Sequence, residues 1–511
     1  MKAMLGKQTK RDVKDLKAVY TKAAAFQKNG MLAEAARSYR FFLSKWPDPT
    51  AYYNYGVVLK AMKLFDEAIL NYQNAIALKP NYAEAFVNIG SIHIERGDYE
   101  RALEQYDQAV RHNPMLAEAY YNRGVVLQEL RRHDEALADY DRTLGLKPNY
   151  YLAFLNKSVI LYELKRKAEA AGNYEQLLRV NPEHIDSLWN LGILKLSEGD
   201  FAAGWKLSES RLKLHADHFD ARFQRPCWHG QQDIEGKTIF IRWEQGFGDT
   251  IQFCRYAKLV KDAGANVILS VQDPLRRLVI SLDDSIPVIG EDEIPENFDY
   301  YCFLMSLPSI FATAVETIPS PTKYLGIAPA QIASWQARMG DASGVKIGLV
   351  WAGSSRPDIT CARRNDANRS ITLEQYRPLL EIGGARFFSL QKGPAAAQVA
   401  AAGHAIHDWT DDLTDFADTG ALIETLDLVI TVDTAVAHLA AALGKPVWIL
   451  VPWVSCWRWL EGRTDSPWYS SVKLFRQSER NNWNSVIAAV KRELHTLVVE
   501  SQRESTIGPD C

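Results

Sequence analysis

Four prolines, Pro80, Pro114, Pro148 and Pro182, stand 34 residues apart, and this spacing constrains the fold more than any other feature. Three further columns keep the same period: Ala68, Ala102, Ala136 and Ala170; Tyr72, Tyr106, Tyr140 and Tyr174; and Gly56, Gly90 and Gly124. Ser158 takes the next place in the glycine column and Gly192 restores it. A period of this length marks stacked supersecondary units, none of which buries its apolar face alone. Each copy reads as a helical hairpin. The small residue lets two antiparallel helices approach, tyrosine fills the space between hairpins, and proline starts the next helix after a short turn. Clear copies run from about Pro49 to Pro182. An earlier copy, Tyr20 to Pro47, keeps the helical pattern without the register. A last one, from Glu183, keeps Trp189 and Gly192 and degenerates after Gly199-Asp200-Phe201.

This pattern resembles the tetratricopeptide repeat. Asn54, Asn88, Asn122, Asn156 and Asn190 also recur every 34 residues, on the first helix of each hairpin. In such superhelices that place tends to face the concave groove, where an amide can hydrogen-bond the backbone of an extended peptide. The alternative is that asparagine is simply the common residue there. The array by itself is a binding module.

At 511 residues the chain is too long for one core. A formal net charge of -3 gives no sign of affinity built on phosphate neutralisation, so no nucleic-acid partner is expected. The six cysteines (Cys227, Cys254, Cys302, Cys361, Cys456 and Cys511) are scattered with no CxxC pair, which fits a reducing compartment. The N-terminus has basic residues but no apolar core for a secretory signal. The apolar stretch Leu426 to Val454 carries Asp427, Asp433, His438 and Lys445, and so reads as buried strands and a helix rather than a membrane span. A cytoplasmic protein is expected; the oligomeric state is left open.

After residue 216 the helical period lapses, and Phe223 to Trp228 reads as a linker docked by its aromatics. Lys237 to Trp243 is a short apolar run with β-branched residues, hence a buried strand. The turn Glu244 to Asp249, a helix from Thr250 to Ala263 and a strand from Asn266 to Val271 complete a βαβ unit. A second set begins after Pro319-Ser-Pro321 and a helical connector, Ala328 to Met339. Its strands are 346–351, 386–390, 427–432 and 446–451, with helices over 373–381 and 435–443 between them. A tail helix covers 483–497, and Glu504 to Cys511 reads as disordered. Two doubly wound halves facing a cleft are expected, with ligands beyond the carboxyl ends of the strands.

Two strand-to-helix turns carry candidate chemistry. Gly246-Phe-Gly248-Asp249 opens a helix whose amides could face an anion; Asp249 is either an N-cap or, facing the cleft, a general base. Asp433-Thr-Ala-Val-Ala-His438 follows a strand directly. Thr434 and the free amides there suit a diphosphate, the alternative being an N-cap aspartate and a core-packed histidine.

Taken together, GDTIQFCRY after a strand, SLQKGP, and DTAVAHLAAALGKPVW resemble glycosyltransferases with two Rossmann domains. The likeness is to ADP-heptose lipopolysaccharide heptosyltransferases of glycosyltransferase family 9, and especially to bacterial proteins joining this domain to tetratricopeptide repeats. It covers roughly Gly236 to Leu497 and implies a GT-B module. It makes Asp249 the base that deprotonates an acceptor hydroxyl, and Asp433, Thr434, Ala435 and His438 the contacts to a donor diphosphate. Such enzymes invert the anomeric centre in one displacement, with no metal or cofactor beyond the nucleotide-diphospho-sugar. The lone D-x-D, Asp139-Tyr-Asp141, lies in a repeat helix and reads as a solvated face.

Two departures stand out. Ala435 replaces the family's usual glycine, and no phosphate-binding lysine follows the first strand of the second half. The segment Ser354 to Arg369 offers Arg356, Arg363, Arg364 and Arg369 instead. Arg369 is the preferred phosphate contact, because a guanidinium pairs bidentately with phosphate oxygens; Gln391 and Lys392 form a second candidate pair. The expected architecture is an all-α tetratricopeptide superhelix over 1–215, a linker over 216–235, an acceptor-side Rossmann-like half over 236–325, a nucleotide-sugar half over 326–500 and a tail over 501–511. The expected activity is transfer of a sugar from a nucleotide-diphospho-sugar to an acceptor hydroxyl, with the repeats holding a polypeptide acceptor or a partner. Two alternatives stand beside it: a protein glycosyltransferase similar to O-GlcNAc transferases, favoured by the asparagine column, and a non-catalytic scaffold with a degenerate transferase domain.

Overall fold

A computed structural model describes residues 10–214, 223–340, 343–353, 366, 368–402 and 406–506. Arg356, Arg363 and Arg364, part of the expected linker and the last five residues lie outside them. The chain divides into two compact units, 1–187 and 188–511.

The first unit is a run of antiparallel helical hairpins. Lys10–Lys28 pairs with Leu32–Lys45, and then come Pro49–Ala61 with Phe65–Leu78, Ala83–Glu95 with Tyr99–His112, Ala117–Glu129 with His133–Leu146, and Tyr151–Glu163 with Lys167–Val180. The turn inside each hairpin needs a left-handed residue. Lys63, Gly97, Arg131 and Lys165 supply it at φ of 61°, 75°, 62° and 57°, again 34 residues apart. The glycine and tyrosine columns are one device. A Cβ built on Gly56, Gly90 or Gly124 would stand 2.6, 2.9 or 2.8 Å from a ring carbon of Tyr72, Tyr106 or Tyr140. Each ring therefore packs on the glycine of its own hairpin and also meets the next one, as the sequence suggested: Tyr106 clusters with Ala119 and Val126, and Tyr140 interacts with Asn156. Proline, likewise, lies in the turn between hairpins: Pro80 precedes the helix that begins at Ala83. Asp139 is not on a solvated face. It is 4 % exposed and takes two hydrogen bonds, each 2.7 Å, from Arg123, which also reaches Asp107. Asp141 is exposed and pairs with Lys157.

In the second unit, the division between Ser187 and Leu188 falls inside the helix Ile185–Ser197. Residues 188–214 keep the repeat pattern yet are built into the core of this unit. Trp205 packs edge-on against Phe201 and Trp457, and its indole N–H donates to Thr313 O at 2.8 Å. Arg211, 3 % exposed, donates to both carboxylate oxygens of Glu244 at 2.7 and 2.9 Å, to Glu209 at 2.6 Å and to the Ser306 hydroxyl.

Two parallel sheets follow. The first holds β1 (Thr238–Arg242), β2 (Asn266–Ser270), β3 (Val288–Ile289) and β4 (Tyr300–Phe303) in the order β3-β2-β1-β4. The second holds β5 (Val345–Val350), β6 (Ala385–Ser389), β7 (Ile406–Asp408), β8 (Leu428–Val432), β9 (Val447–Val451) and β10 (Val472–Arg476) in the order β10-β9-β8-β5-β6-β7. From the β7 edge this is the 3-2-1-4-5-6 order of a dinucleotide-binding sheet, with its reversal between β5 and β8. In the first sheet the winding reverses between β1 and β4. Continuous apolar runs such as Val447–Val451 are buried on both faces, as parallel strands require. The expected helix over 250–263 is broken into Phe247–Phe253 and Tyr256–Asp262, and the tail helix runs from Trp483 to Thr506, through residues expected to be disordered. Leu426 to Val454 is buried strand, helix and strand. Among the described residues no helix is long and apolar enough to cross a membrane.

Candidate functional site

The loop after β1 and the loop after β8 each leave the carboxyl end of a strand at a switch point, where parallel sheets bind ligands. Packing brings the two together. The helix Phe247–Phe253 lies against Ala435–Ala442, and a Cβ on Gly248 would stand 2.9 Å from His438 Cδ2 and 3.6 Å from Ala435 Cα. Glycine at 248 permits this approach. Gly246 leaves no open anion cradle, because its N–H donates to Asp249 Oδ2 at 2.9 Å. Gln245, just before, takes φ of 67°, a left-handed conformation costly for a residue with a Cβ.

The other oxygen of Asp249 faces Arg458, a residue the sequence reading did not single out. The Arg458 Nη2 donates to Asp249 Oδ1, Nε to Gln252 Oε1 at 2.6 Å and Nη1 to Cys456 Sγ at 3.1 Å. Burial works against its charge, but Asp249, Cys456 and Asp433 hold the guanidinium firmly protonated. The sequence carried no signal for this contact beyond an arginine among tryptophans, since Gln252 and Asp249 lie more than 200 residues away.

Asp433 directly follows β8 and is partly exposed. Burial pushes its carboxyl above the ordinary aspartate range, against the pull of Arg369 and Arg458 toward the ionised form. Thr434 is the N-cap of Ala435–Ala442, but its hydroxyl makes no cap bond and lies 3.1 Å from the Thr431 hydroxyl. The first amides of that helix therefore lack a side-chain cap, at the positive end of the helix dipole. His438 is buried, its ring stacked on Trp459 at 5.4 Å and its Nδ1 2.8 Å from the Tyr469 hydroxyl. Burial and the charges of Arg458, Arg255 and Arg369 hold its pKa well below the ordinary imidazole value. It is a neutral hydrogen-bonding group at pH 7, and the Tyr469 contact leaves Nε2 on the side of Gly248.

Arg369 spans the switch point of the second sheet: Nη1 donates to Asp433 O at 2.9 Å and Nε to Asp366 at 3.3 Å. Gln391 is 2 % exposed and fully engaged, accepting from the Trp351 and Ala352 amides and donating to the carbonyls of Ala352 and Lys392. The Lys392 ammonium donates to the carbonyls of Thr410 and Leu413. These two residues brace the β5 and β6 loops. Beneath the site, Arg255 spends its donors on carbonyls of Gln252, Pro319 and Trp468 and on the Tyr324 hydroxyl, and ion-pairs with no carboxylate among the described residues. Among the described residues no cluster of three His, Cys, Asp or Glu side chains could hold a metal ion.

In the repeats, three of the five asparagines are already engaged. Asn54 donates to the Tyr20 hydroxyl at 2.9 Å, Asn88 to Tyr53 at 3.0 Å and Asn156 to Tyr121 at 3.3 Å. Each amide ties its helix to the first helix of the preceding hairpin. Asn122 has Val87 where Asn88 and Asn156 have tyrosine, and Asn190 falls in the second unit.

Residues 48–115 and 87–151 each match a tetratricopeptide repeat model, and residues 412–450, which span β8, Asp433 to His438 and most of β9, match glycosyltransferase family 9 (heptosyltransferase). A curated relative, Protein FlbA of Caulobacter vibrioides, is 29% identical over 329 residues, 58% of this chain and 53% of that protein. The chain thus spans about half the length of the curated relative it matches. Among solved structures, YrrB, a TPR protein with an unusual peptide-binding site, is 20% identical with a TM-score of 0.32, over 36% of this chain and 95% of that one. Pseudomonas aeruginosa PilF is 20% identical with a TM-score of 0.35, over 41% and 96%. A tetratricopeptide repeat protein of Parabacteroides merdae is 19% identical with a TM-score of 0.34, over 40% and 80%. The chain joins tetratricopeptide repeats in its N-terminal region to a C-terminal α/β unit that carries a segment similar to glycosyltransferase family 9.

Proposed function

We propose that the second unit is an inverting, metal-independent glycosyltransferase of GT-B type, similar to heptosyltransferases, that moves a sugar from a nucleotide-diphospho-sugar to an acceptor hydroxyl. The observation that carries this reading is the meeting of two switch-point loops about 185 residues apart in sequence, with Gly248 against His438 and Asp249 close to Asp433. The half over 236–325 takes the acceptor and the half over 326–500 the donor. The uncapped amides at Thr434 and Ala435, with neutral His438, receive the diphosphate, and Arg369 adds a positive charge beside it. Asp249 removes the proton from the acceptor hydroxyl as that oxygen attacks the anomeric carbon from the face opposite the leaving diphosphate. The repeats hold a polypeptide acceptor or a partner protein, and the scattered cysteines favour the cytoplasm.

Replacing Asp249 with Asn, followed by turnover of whichever UDP-, GDP- or ADP-sugar the protein consumes, tests the central role. Retained turnover removes Asp249 as the base. A second reading, a scaffold without activity, is favoured by the ion pair that occupies Asp249 and by Ala435. No binding of any nucleoside diphosphate would establish it over the first. The asparagine column gives the comparison with O-GlcNAc transferases less support, because Asn54, Asn88 and Asn156 each give one amide N–H to a tyrosine.

A further inference from the structure

Three arginines surround the loop after β8, and their donors are committed to different degrees. Arg255 gives four of its five N–H groups to carbonyls and a tyrosine hydroxyl, and Arg369 gives two, to Asp366 and the Asp433 carbonyl. Arg458 differs. Of a guanidinium's five N–H groups, one goes to Gln252, one to the weak acceptor sulfur of Cys456 and one to Asp249. One N–H on each terminal nitrogen has no partner among the described residues, so both terminal nitrogens still have a donor to offer phosphate oxygens. The side chains of Arg458 and Asp249 are 12% and 20% exposed, so the pair is sheltered yet reachable from the cleft. Arg458 also lies near enough to Asp433 to favour its ionised form. It therefore stands between the carboxylate proposed as the base and the helix start proposed for the diphosphate.

We infer that Arg458 is the cation that grips the donor diphosphate, and that without donor it occupies Asp249 in an ion pair, so that donor binding frees the base. This rests on the reading of the cleft as a nucleotide-sugar site. A carboxylate hydrogen-bonded to a guanidinium is a poor proton acceptor, because the charge that would attract the proton is already neutralised. The diphosphate carries more negative charge than Asp249 and offers the guanidinium two oxygens. When the guanidinium turns to it, Asp249 keeps, among the described residues, only the Gly246 amide and regains a lone pair for the acceptor hydroxyl. Arg458 thereby supplies the positive charge for which the second half has no lysine after β5. Acceptor activation is ordered behind donor binding, which also limits transfer of the sugar to water.

The test is calorimetric titration of the full chain with UDP, GDP and ADP, for the wild type, Arg458→Lys, Arg458→Met, Asp249→Asn and the Asp249→Asn/Arg458→Met double variant. The nucleotide that binds the wild type should bind Arg458→Met about tenfold to a hundredfold more weakly, the range for a lost charged hydrogen bond. Arg458→Lys should fall between the two and also guards against a folding defect. Asp249→Asn should bind more tightly than wild type, since Asp249 no longer competes for the guanidinium, and that gain should vanish when Arg458 is methionine. Unchanged affinity in Arg458→Lys and Arg458→Met, or an Asp249→Asn gain that survives without Arg458, overturns the inference and leaves the reading of the site intact. No binding of any of the three nucleotides by the wild type overturns both.

Discussion

Replacing Arg211 with Met tests whether the last repeat-like segment is a structural part of the second unit. Arg211 donates to both oxygens of Glu244 and to Glu209 and Ser306, with its own side chain 3% and that of Glu244 12% exposed. Methionine fills much of the volume but leaves Glu244, among the described residues, with only the Met305 amide. Stranding a buried charge in this way costs about 3–5 kcal/mol. Arg211→Met combined with Glu244→Gln removes both charges and should recover at least half of the loss. Tryptophan fluorescence during urea unfolding isolates the effect. Of the 14 tryptophans only Trp46 precedes residue 188, leaving 14 − 1 = 13 in the second unit. With a slope near 3 kcal/mol per molar urea, the midpoint should move down by roughly 1 M or more. A loss below about 1 kcal/mol, the worth of an exposed pair, would refute the argument that this network is buried and integral.

Further outcomes follow from the same structure. His438 is held neutral, so below its ordinary value of 6.5 the unfolded chain takes up a proton that the folded one does not. Stability then falls as the pH drops through 6.5, by at most about 1.4 kcal/mol per pH unit for this group; the dependence between pH 6.5 and 5 should be shallower in His438→Asn, measured by urea unfolding. Gly90→Ala, with a Cβ 2.9 Å from Tyr106, should lose about 1–3 kcal/mol by overpacking. Gly172→Ala, mid-helix with nothing within 4 Å, should gain up to about 1 kcal/mol from helix propensity; circular dichroism melts of the two give opposite signs. Lys392→Met should lower the melting temperature through the orphaned carbonyls of Thr410 and Leu413 while leaving nucleotide affinity unchanged. A large loss of affinity with unchanged melting would instead make Lys392 a donor contact.

What the sequence made legible depended on whether the signal was local. The 34-residue columns named the hairpins because each column is a repeated packing contact, and long apolar runs such as Val447–Val451 announced central parallel strands. The strands left unread were short or at the edges: β3 has two residues, β7 three and the edge strand β4 four, while β10 (Val472-Lys-Leu-Phe-Arg476) begins with an alternation that was there to be read. Asp249 and His438 could be picked out because each follows a strand and opens a helix. Arg458 could not, because Gln252 and Asp249 lie 206 and 209 residues away along the chain. Gln391 and Lys392 sit beyond a strand end as expected of ligand contacts, and only tertiary structure reveals that their polar atoms are taken by neighbouring backbone.

The division inside the helix Ile185–Ser197 bears on how such a chain can change by duplication and deletion. Hairpins upstream of Ser187 repeat the same internal glycine–tyrosine packing, and asparagine–tyrosine bonds tie several of them to the hairpin before, so one 34-residue unit can be gained or lost in register with most of the pattern preserved. Residues 188–214 have no such freedom. Trp205 is hydrogen-bonded to Thr313 and Arg211 to the residue that begins the Asp249 loop, so a deletion or exchange there removes part of another fold's interior. Variation in repeat number among chains of this type should therefore stop short of Leu188, and a fragment meant to retain the cleft should begin ahead of that helix rather than where the sequence period fades.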